Sequence, residues 1–332
     1  MNYIGSKYSL LDFIENVIEN VSGYKTGDNY TFADLFAGTG VVGTAYKGKG
    51  AYVIANDIQY YSYVLNKHFI ENIPPLNNDL GVVLNSLKPL KGFIYNNYCE
   101  GSGSGRNYFT DSNGKKCDAI RTFLEEAHSS REMGDAEYFY YLASLINSID
   151  KYANTASVYA AFLKHIKKSA AKDFTLSLLP VISGQAGKVY NEDVNVLIKK
   201  ISGDILYLDP PYNTRQYSAN YHILETIAKY DNPALRGITG LRGYELQKSD
   251  FCSKRTACTA LDTLIKNADF GYIFLSYNNE GLMSADTIRD IMSAYGDYSV
   301  FTREYKRFKA DKDENRRIAG SEVVEYIHCL KK

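Results

Sequence analysis

The chain has 332 residues, 45% of them hydrophobic, enough for a full α/β core or for such a core carrying an inserted unit. Its 38 basic and 38 acidic residues cancel, which excludes the overall basic excess of many nucleic-acid binders and requires any nucleic-acid face to be local. Five cysteines without a CxxC pair or zinc-type histidine spacing read as reduced thiols of a cytoplasmic protein, and no apolar run approaches the roughly 18 residues of a membrane span, so neither a metal nor a membrane is expected.

Residues 2–7 are a polar, glycine-containing lead-in without the apolar core of a signal peptide. Leu10, Leu11, Phe13, Ile14, Val17, Ile18 and Val21 then recur at helical spacing, with Ser9 as the expected N-cap. Residues 30–36 read as a strand, followed by Ala37-Gly38-Thr39-Gly40 and a helix from about Val41. Gly38, Gly40 and Gly43 satisfy GxGxxG in a strand-turn-helix setting, where glycines let the backbone approach a ligand with no Cβ in the way. A second strand, 51–55, ends at Asn56-Asp57. A carboxylate there can accept hydrogen bonds from both hydroxyls of a ribose, and Ile58 can lie against an adenine. These features specify a nucleoside and leave NAD and S-adenosylmethionine (SAM) both open.

A Pro/Asn-rich connection and an amphipathic helix fill 74–91. Residues 92–187 break the βαβ rhythm, with a flexible Gly101-Ser102-Gly103-Ser104-Gly105 stretch and helical segments expected around 118–132, 135–149 and 155–171. Twelve basic against ten acidic residues in 91–190 make this block only mildly basic, so its positive charge is local. Lys164, Lys167 and Lys168 read either as a solvated helix face or as phosphate contacts. Residues 189–194 are strand-like and lead into a helix, 194–200, that Asp193 can cap.

A buried strand, 204–208, runs into Asp209-Pro210-Pro211-Tyr212. Two prolines cannot continue a sheet ladder, so the chain turns with a carboxylate at the strand's carboxyl end, where open α/β sheets bind ligands. The polar, aromatic loop 213–222 follows, including Arg215, Gln216 and Tyr217. A helix at 223–230, an irregular stretch at 231–250, a helix at 258–268, a strand at 272–277 and a helix at 287–294 come next. Residues 300–308 and 323–330 read as a closing hairpin, whose connection holds Arg316 and Arg317 as candidate phosphate contacts.

Asn2-Tyr3-Ile4-Gly5-Ser6-Lys7, Phe36-Ala37-Gly38-Thr39-Gly40 and Asp209-Pro210-Pro211-Tyr212, in this order and with an insertion before the last motif, resemble the α-group of the D12 class of DNA adenine-N6 methyltransferases. With the loop 213–222 included, the match looks like the methyltransferases of type IIS restriction systems. The inserted block carries none of the resemblance. The resemblance implies an α/β fold: a Rossmann-like SAM-dependent methyltransferase sheet with an inserted, mostly helical target-recognition region. Its parts would be 1–90 (SAM binding), 91–187 (insertion) and 188–332 (the Asp-Pro-Pro-Tyr part).

The same resemblance implies SAM as cofactor, with Tyr3, Lys7, Phe36, Ala37, Gly38, Thr39, Gly40, Asp57, Ile58, Asp193, Val194 and Asp209 around it. Lys7 would sit beside the methionyl carboxylate and Asp193 beside the adenine amino group. It further implies methylation of a flipped adenine in double-stranded DNA, with Asp209, Pro210, Pro211 and Tyr212 as the catalytic motif. Arg215, Gln216, Tyr217, Lys164, Lys167, Lys168, Arg316 and Arg317 would contact DNA, and a cognate restriction endonuclease is the further partner expected. The alternatives are an amino-methyltransferase acting on cytosine N4 or RNA, and a non-catalytic DNA-binding relative. A NAD enzyme would leave Asp209 to Tyr212 without a role.

Overall fold

A computed structural model describes residues 4–306 and 322–332. Tyr3, Arg316 and Arg317 lie outside the described residues. The chain opens with α1 (Leu11–Ser22), whose Ile14, Val17 and Ile18 are buried. It stops at Gly23, which takes φ +80° and donates its N–H to the Glu19 carbonyl at 2.9 Å. Ser9 is not the N-cap: it falls inside a single 3-10 turn, Tyr8–Leu10, that leads into the helix. The βαβ unit follows as β1 (Thr31–Asp34), α2 (Val41–Gly48) and β2 (Tyr52–Asn56). Helices α3 (Tyr60–Asn66), α4 (Leu80–Ser86), α5 (Phe93–Tyr98), α6 (Asp111–Ser129) and α7 (Asp135–Asp150) precede β3 (Lys188–Tyr190). After α8 (Val194–Leu197) come β4 (Ser202–Leu208), α9 (Tyr217–Asn220) and α10 (His222–Lys229). A small hairpin, β5 (Leu235–Arg236) with β6 (Leu241–Arg242), lies in the stretch expected to be irregular. The chain closes through α11 (Ala257–Asn267), β7 (Asp269–Asn278), α12 (Ala285–Ser293), β8 (Asp297–Lys306) and β9 (Glu322–Lys331).

Among the described residues the large sheet has seven strands in the order β3-β2-β1-β4-β7-β9-β8. β3, β2, β1, β4 and β7 run parallel, and β9 and β8 add an antiparallel edge. The order reverses between β1 and β4, so the crevice for a ligand opens at their carboxyl ends. Those ends are where 36–40 and 209–212 lie.

Alternation along the strands sets the two faces. Phe32 and Tyr207 point to the α1/α2 side, while Ala33, Leu206 and Ile273 pack under α8, α11 and α12. A third core forms from α5, α6 and α7 of the insertion together with Tyr61, Val64 and Leu65 of α3 and Ile223, Leu224 and Ile227 of α10. Arg121, 1% exposed, ties the two parts by donating to the Ile227 and Ala228 carbonyls at 3.0 and 3.2 Å.

Two helix expectations are corrected. Residues 194–200 make one turn only, 194–197. Residues 155–171 form turns, not a helix. Asn154 takes that segment's backbone groups, accepting from Lys167 N–H at 3.0 Å and donating to the Leu163 carbonyl at 3.0 Å. Tyr159 N–H goes to the Asn220 carbonyl at 2.7 Å. Tertiary bonds have replaced the helical ladder that the local pattern favoured. No helix among the described residues is long and apolar enough to cross a membrane.

Candidate active site

The turn after β1 is tight. Gly40 N–H donates to the Ala37 carbonyl at 2.8 Å, with φ +51° at Gly38 and +78° at Gly40, a region open to glycine without steric cost. A Cβ on Gly40 would meet Asn66 Oδ1 at 2.8 Å, and Asn66 donates in turn to the Gly38 carbonyl at 3.1 Å. At the end of β2, Asn56 donates to the Leu35 and Glu192 carbonyls at 3.2 and 3.1 Å, and accepts from Glu192 N–H at 3.0 Å. It thereby holds the ends of β1, β2 and β3 together. Asp57 accepts from Gly38 N–H and Gln59 N–H, both at 2.8 Å. Burial pushes its carboxyl up to about 6, against the pull of those two donors.

Two cavities meet at this edge. The larger, about 720 Å3, is lined by Phe36, Asp57, Ile58, Asp193 and Val194 on the sheet side. The smaller, about 300 Å3, is lined by Lys7, Ala37, Gly38 and Thr39 with Asp34 and Tyr207. Asp209 borders both. Among the expected cofactor residues that are described, Gly40 borders neither cavity and acts through the turn. Asp193 also caps α8, accepting from Asn195 N–H at 2.9 Å, while it lines the larger cavity.

The roof of the larger cavity comes from residues expected elsewhere or not at all. Gln216 and Tyr217, expected on DNA, line it. The Gln216 amide accepts from Ser249 N–H at 2.9 Å and donates to the Ser249 carbonyl at 3.3 Å, a two-bond clasp. Gln247 donates to the Ile58 carbonyl at 3.1 Å and to Glu225 Oε1 at 2.6 Å. The segment 245–252 therefore contributes Gln247 and Ser249 to the lining of the larger cavity. Nothing in its sequence singled it out.

Asp34 was also missed. It is 2% exposed; its Oδ2 accepts from Gly43 N–H at 3.3 Å, while Oδ1 has no partner among the described residues. Burial first, and then the nearby Asp209, push its carboxyl up to about 8. An ionisable residue in an otherwise apolar strand, four places before the first glycine of the turn, was the available signal. A second buried acceptor, Gln59 Oε1, is likewise unpartnered and belongs to the lining of the larger cavity. A carboxyl acceptor in one cavity, an amide acceptor in the other and a glycine cradle between them fit a ligand with an ammonium at one end and a nucleoside at the other.

Asp209 itself is held from two sides. Lys7 Nζ lies 2.7 Å from its Oδ2, and the Tyr212 hydroxyl donates to its Oδ1 at 2.7 Å. Lys7 was expected on the methionyl carboxylate; it lines the smaller cavity, but its ammonium is paired with Asp209. The Tyr212 ring, expected as a stacking face, packs on Tyr277 with centroids 4.7 Å apart. Pro210 is buried, and Pro211 is half-buried and lines the larger cavity beside Asp209.

Of the DNA candidates that are described, Arg215, Lys164 and Lys168 are exposed. Lys167 donates to the Thr155 carbonyl at 2.7 Å and serves the local fold. Lys254 and Arg255, not picked out from the sequence, are exposed just beyond Cys252, whose Sγ donates to the Arg215 carbonyl at 3.5 Å.

A parallel sheet with a glycine turn, an acidic second-strand end and a carboxylate-proline turn at its switch point is the arrangement of a SAM-dependent methyltransferase. The family model of D12 class N6 adenine-specific DNA methyltransferases matches residues 3–291, and the chain belongs to that family, which transfers a methyl group from SAM to N6 of adenine in DNA. Over its whole length it is 51% identical to the type II methyltransferase M.NlaIII of Neisseria lactamica, covering 99% of that protein. It is 39% identical to the type II methyltransferase M.FokI of Planomicrobium okeanokoites, of which it spans 53%. It is 35% identical, over 98% of its length and 97% of the relative, to the type II methyltransferase M.CviAII of Paramecium bursaria Chlorella virus 1.

Proposed function

We propose that the chain methylates adenine at one short duplex sequence, as the modification half of a restriction-modification pair whose nuclease cuts the same site. Its partners in that role are double-stranded DNA and the cognate endonuclease, in the cytoplasm. The observation that carries the residue assignment is the place of Asp209, which borders both cavities. It stands beside the junction between the nucleoside and amino-acid portions of SAM. Asp34 would meet the ammonium of SAM, Asp57 the ribose, and Ile58, Asp193 and Val194 the adenine. Bound SAM supplies an electrophilic methyl group.

The nitrogen to be methylated is a poor nucleophile, because its lone pair is delocalised into the purine ring. Asp209 accepts one N6–H bond and the Pro210 carbonyl the other. Two acceptors on the two hydrogens draw the nitrogen towards a tetrahedral shape and aim its lone pair. Positioning of this kind accounts for several kcal/mol of barrier lowering. Pro210 and Pro211 keep the acceptors in place before the base arrives. The base has to leave the duplex to reach them, since a stacked adenine cannot. Tyr212, swung off Asp209 and Tyr277, then offers its ring to the base, worth about 1–3 kcal/mol.

Tritiated SAM incubated with duplex DNA, followed by nucleoside separation, tests the assignment. Label in N6-methyladenine is expected from the wild type. Asp209→Ala is expected to abolish it while SAM still binds measurably; undiminished turnover in that variant removes Asp209 from the mechanism.

A further inference from the structure

The turn after β2 holds a second acceptor that the assignment of Asp57 to the ribose leaves unused. Gln59 is 3% exposed and belongs to the lining of the larger cavity. Among the described residues of that lining, it alone carries a buried side-chain polar atom, Oε1, without a hydrogen-bond partner. Native proteins rarely leave a buried acceptor open, so this one calls for a reason. It stands in the same turn as Asp57. The Gln59 N–H donates to Asp57 Oδ1 at 2.8 Å, and Asp57 Oδ2 accepts from Gly38 N–H at 2.8 Å. Each oxygen of Asp57 therefore holds one backbone donor before any ribose arrives.

The orientation of the Gln59 amide is set by what lies behind it. Its Nε2 donates to Ser218 Oγ at 3.0 Å, and the Ser218 hydroxyl donates to the Gln247 carbonyl at 3.1 Å. A carbonyl only accepts, so it takes the hydroxyl hydrogen and leaves Ser218 Oγ as an acceptor towards Gln59. The amide must then present its nitrogen to Ser218 and keep its oxygen for another partner. Gln247 is held in turn, its Nε2 on the Ile58 carbonyl at 3.1 Å and on Glu225 Oε1 at 2.6 Å. This chain of buried groups, from Glu225 through Gln247 and Ser218 to Gln59, fixes one open oxygen.

The direction in which Gln59 turns identifies the donor. In the sheet, β2 lies between β3 and β1. Asp193 and Val194, assigned to the adenine, follow β3. Ser218, to which the Gln59 amide reaches, belongs to α9, which follows β4 on the far side of β1. Gln59 thus turns away from the adenine side, and the remaining donors of a SAM nucleoside are its ribose hydroxyls. We propose that Gln59 accepts a hydrogen bond from one ribose hydroxyl of SAM through Oε1, that Asp57 takes the other, and that Ser218 is the positioning residue that keeps the amide in this orientation. The sugar is then tied, through Gln59 and Ser218, to the helix that follows the Asp209 loop. This rests on the reading that the larger cavity takes the nucleoside of SAM.

The test is equilibrium binding of S-adenosylhomocysteine and of its 2′-deoxy and 3′-deoxy analogues to the full chain, measured by calorimetry without DNA. Wild type is expected to bind each deoxy analogue roughly tenfold more weakly than the parent, because each analogue leaves one buried acceptor open. Gln59→Met, close in size but without an acceptor, is expected to bind the parent roughly tenfold more weakly and one analogue as tightly as the parent, while the penalty for the other analogue stays. Ser218→Ala leaves Gln59 in place but frees its amide to turn; it is expected to shrink the same penalty in part and to leave the other. A merely structural role for either residue would weaken all three ligands alike and move neither ratio. Both penalties intact in Gln59→Met, or both lost together, overturns the proposal, and unchanged penalties in Ser218→Ala overturn its orienting part. Wild type binding both deoxy analogues as tightly as the parent would instead overturn the nucleoside reading of the larger cavity, so the two failures are told apart.

Discussion

Asp34 is a carboxylate placed where its charge is unfavourable. It is buried, one oxygen has no hydrogen-bond partner among the described residues, and its carboxyl is raised to about 8 from an ordinary 3.8. A raised carboxyl in the folded state binds a proton that the unfolded chain has already released, so its contribution to stability is full below about pH 4 and is lost as pH rises through about 8. Asp34→Asn resembles the protonated wild type at every pH. The thermal midpoint of the SAM-free variant, relative to wild type, is therefore expected to rise steadily between pH 5 and 8. A constant difference over that range counts against a protonated Asp34. The glycines and Asp57 were legible because each answers a local backbone need. Asp34 was visible as an oddity in an apolar strand, but its role depends on β4 lying next to β1.

At the scale of elements, residues 151–187 mark where local pattern and outcome part. Periodicity favours a helix around 155–171, yet Asn154, Tyr159 and Lys167 bond to groups far along the chain or around the loop. The consequence for DNA is specific. Lys164 and Lys168 project into solvent from a loop that Tyr159 fastens to Asn220, just after the Asp209 loop, while Lys167 is tied to Thr155. Lys164→Ala with Lys168→Ala is expected to weaken DNA binding and to reduce the slope of log affinity against log salt by about 0.9 for each phosphate that is no longer neutralised. Lys167→Ala is expected to lower the thermal midpoint and leave that slope unchanged. A salt titration of fluorescent duplex binding distinguishes the two, and an unaltered slope in the double variant returns these lysines to plain surface.

Across the whole molecule, the insertion does not close a core of its own. Its helices share apolar packing with α3 before it and α10 after it, and Arg121 bonds across that junction. A fragment of residues 91–187 is therefore expected to show no cooperative urea transition and little side-chain dispersion by NMR, whereas the intact chain does. A fragment that unfolds cooperatively would make the insertion an independent domain. The shared core also packs the inserted helices together with Tyr61 of α3 and with Tyr221, whose ring centroids lie 5.7 Å apart.

What the sequence by itself determined follows from short-range demands. A glycine turn between strand and helix, a carboxylate ending the next strand and two prolines ending another each specify backbone geometry within a few residues, and the motifs that hold them, in this order, resemble those of the D12 adenine methyltransferases. Only the tertiary structure decided which side chains meet: Lys7 with Asp209, Gln216 with Ser249, and Asp34 with the lining of the smaller cavity. Of these, Lys7 and Asp209 are 202 residues apart along the chain, and Gln216 and Ser249 are 33 apart. No local periodicity carries the register that brings strand ends and loops from such distances onto one edge of a sheet.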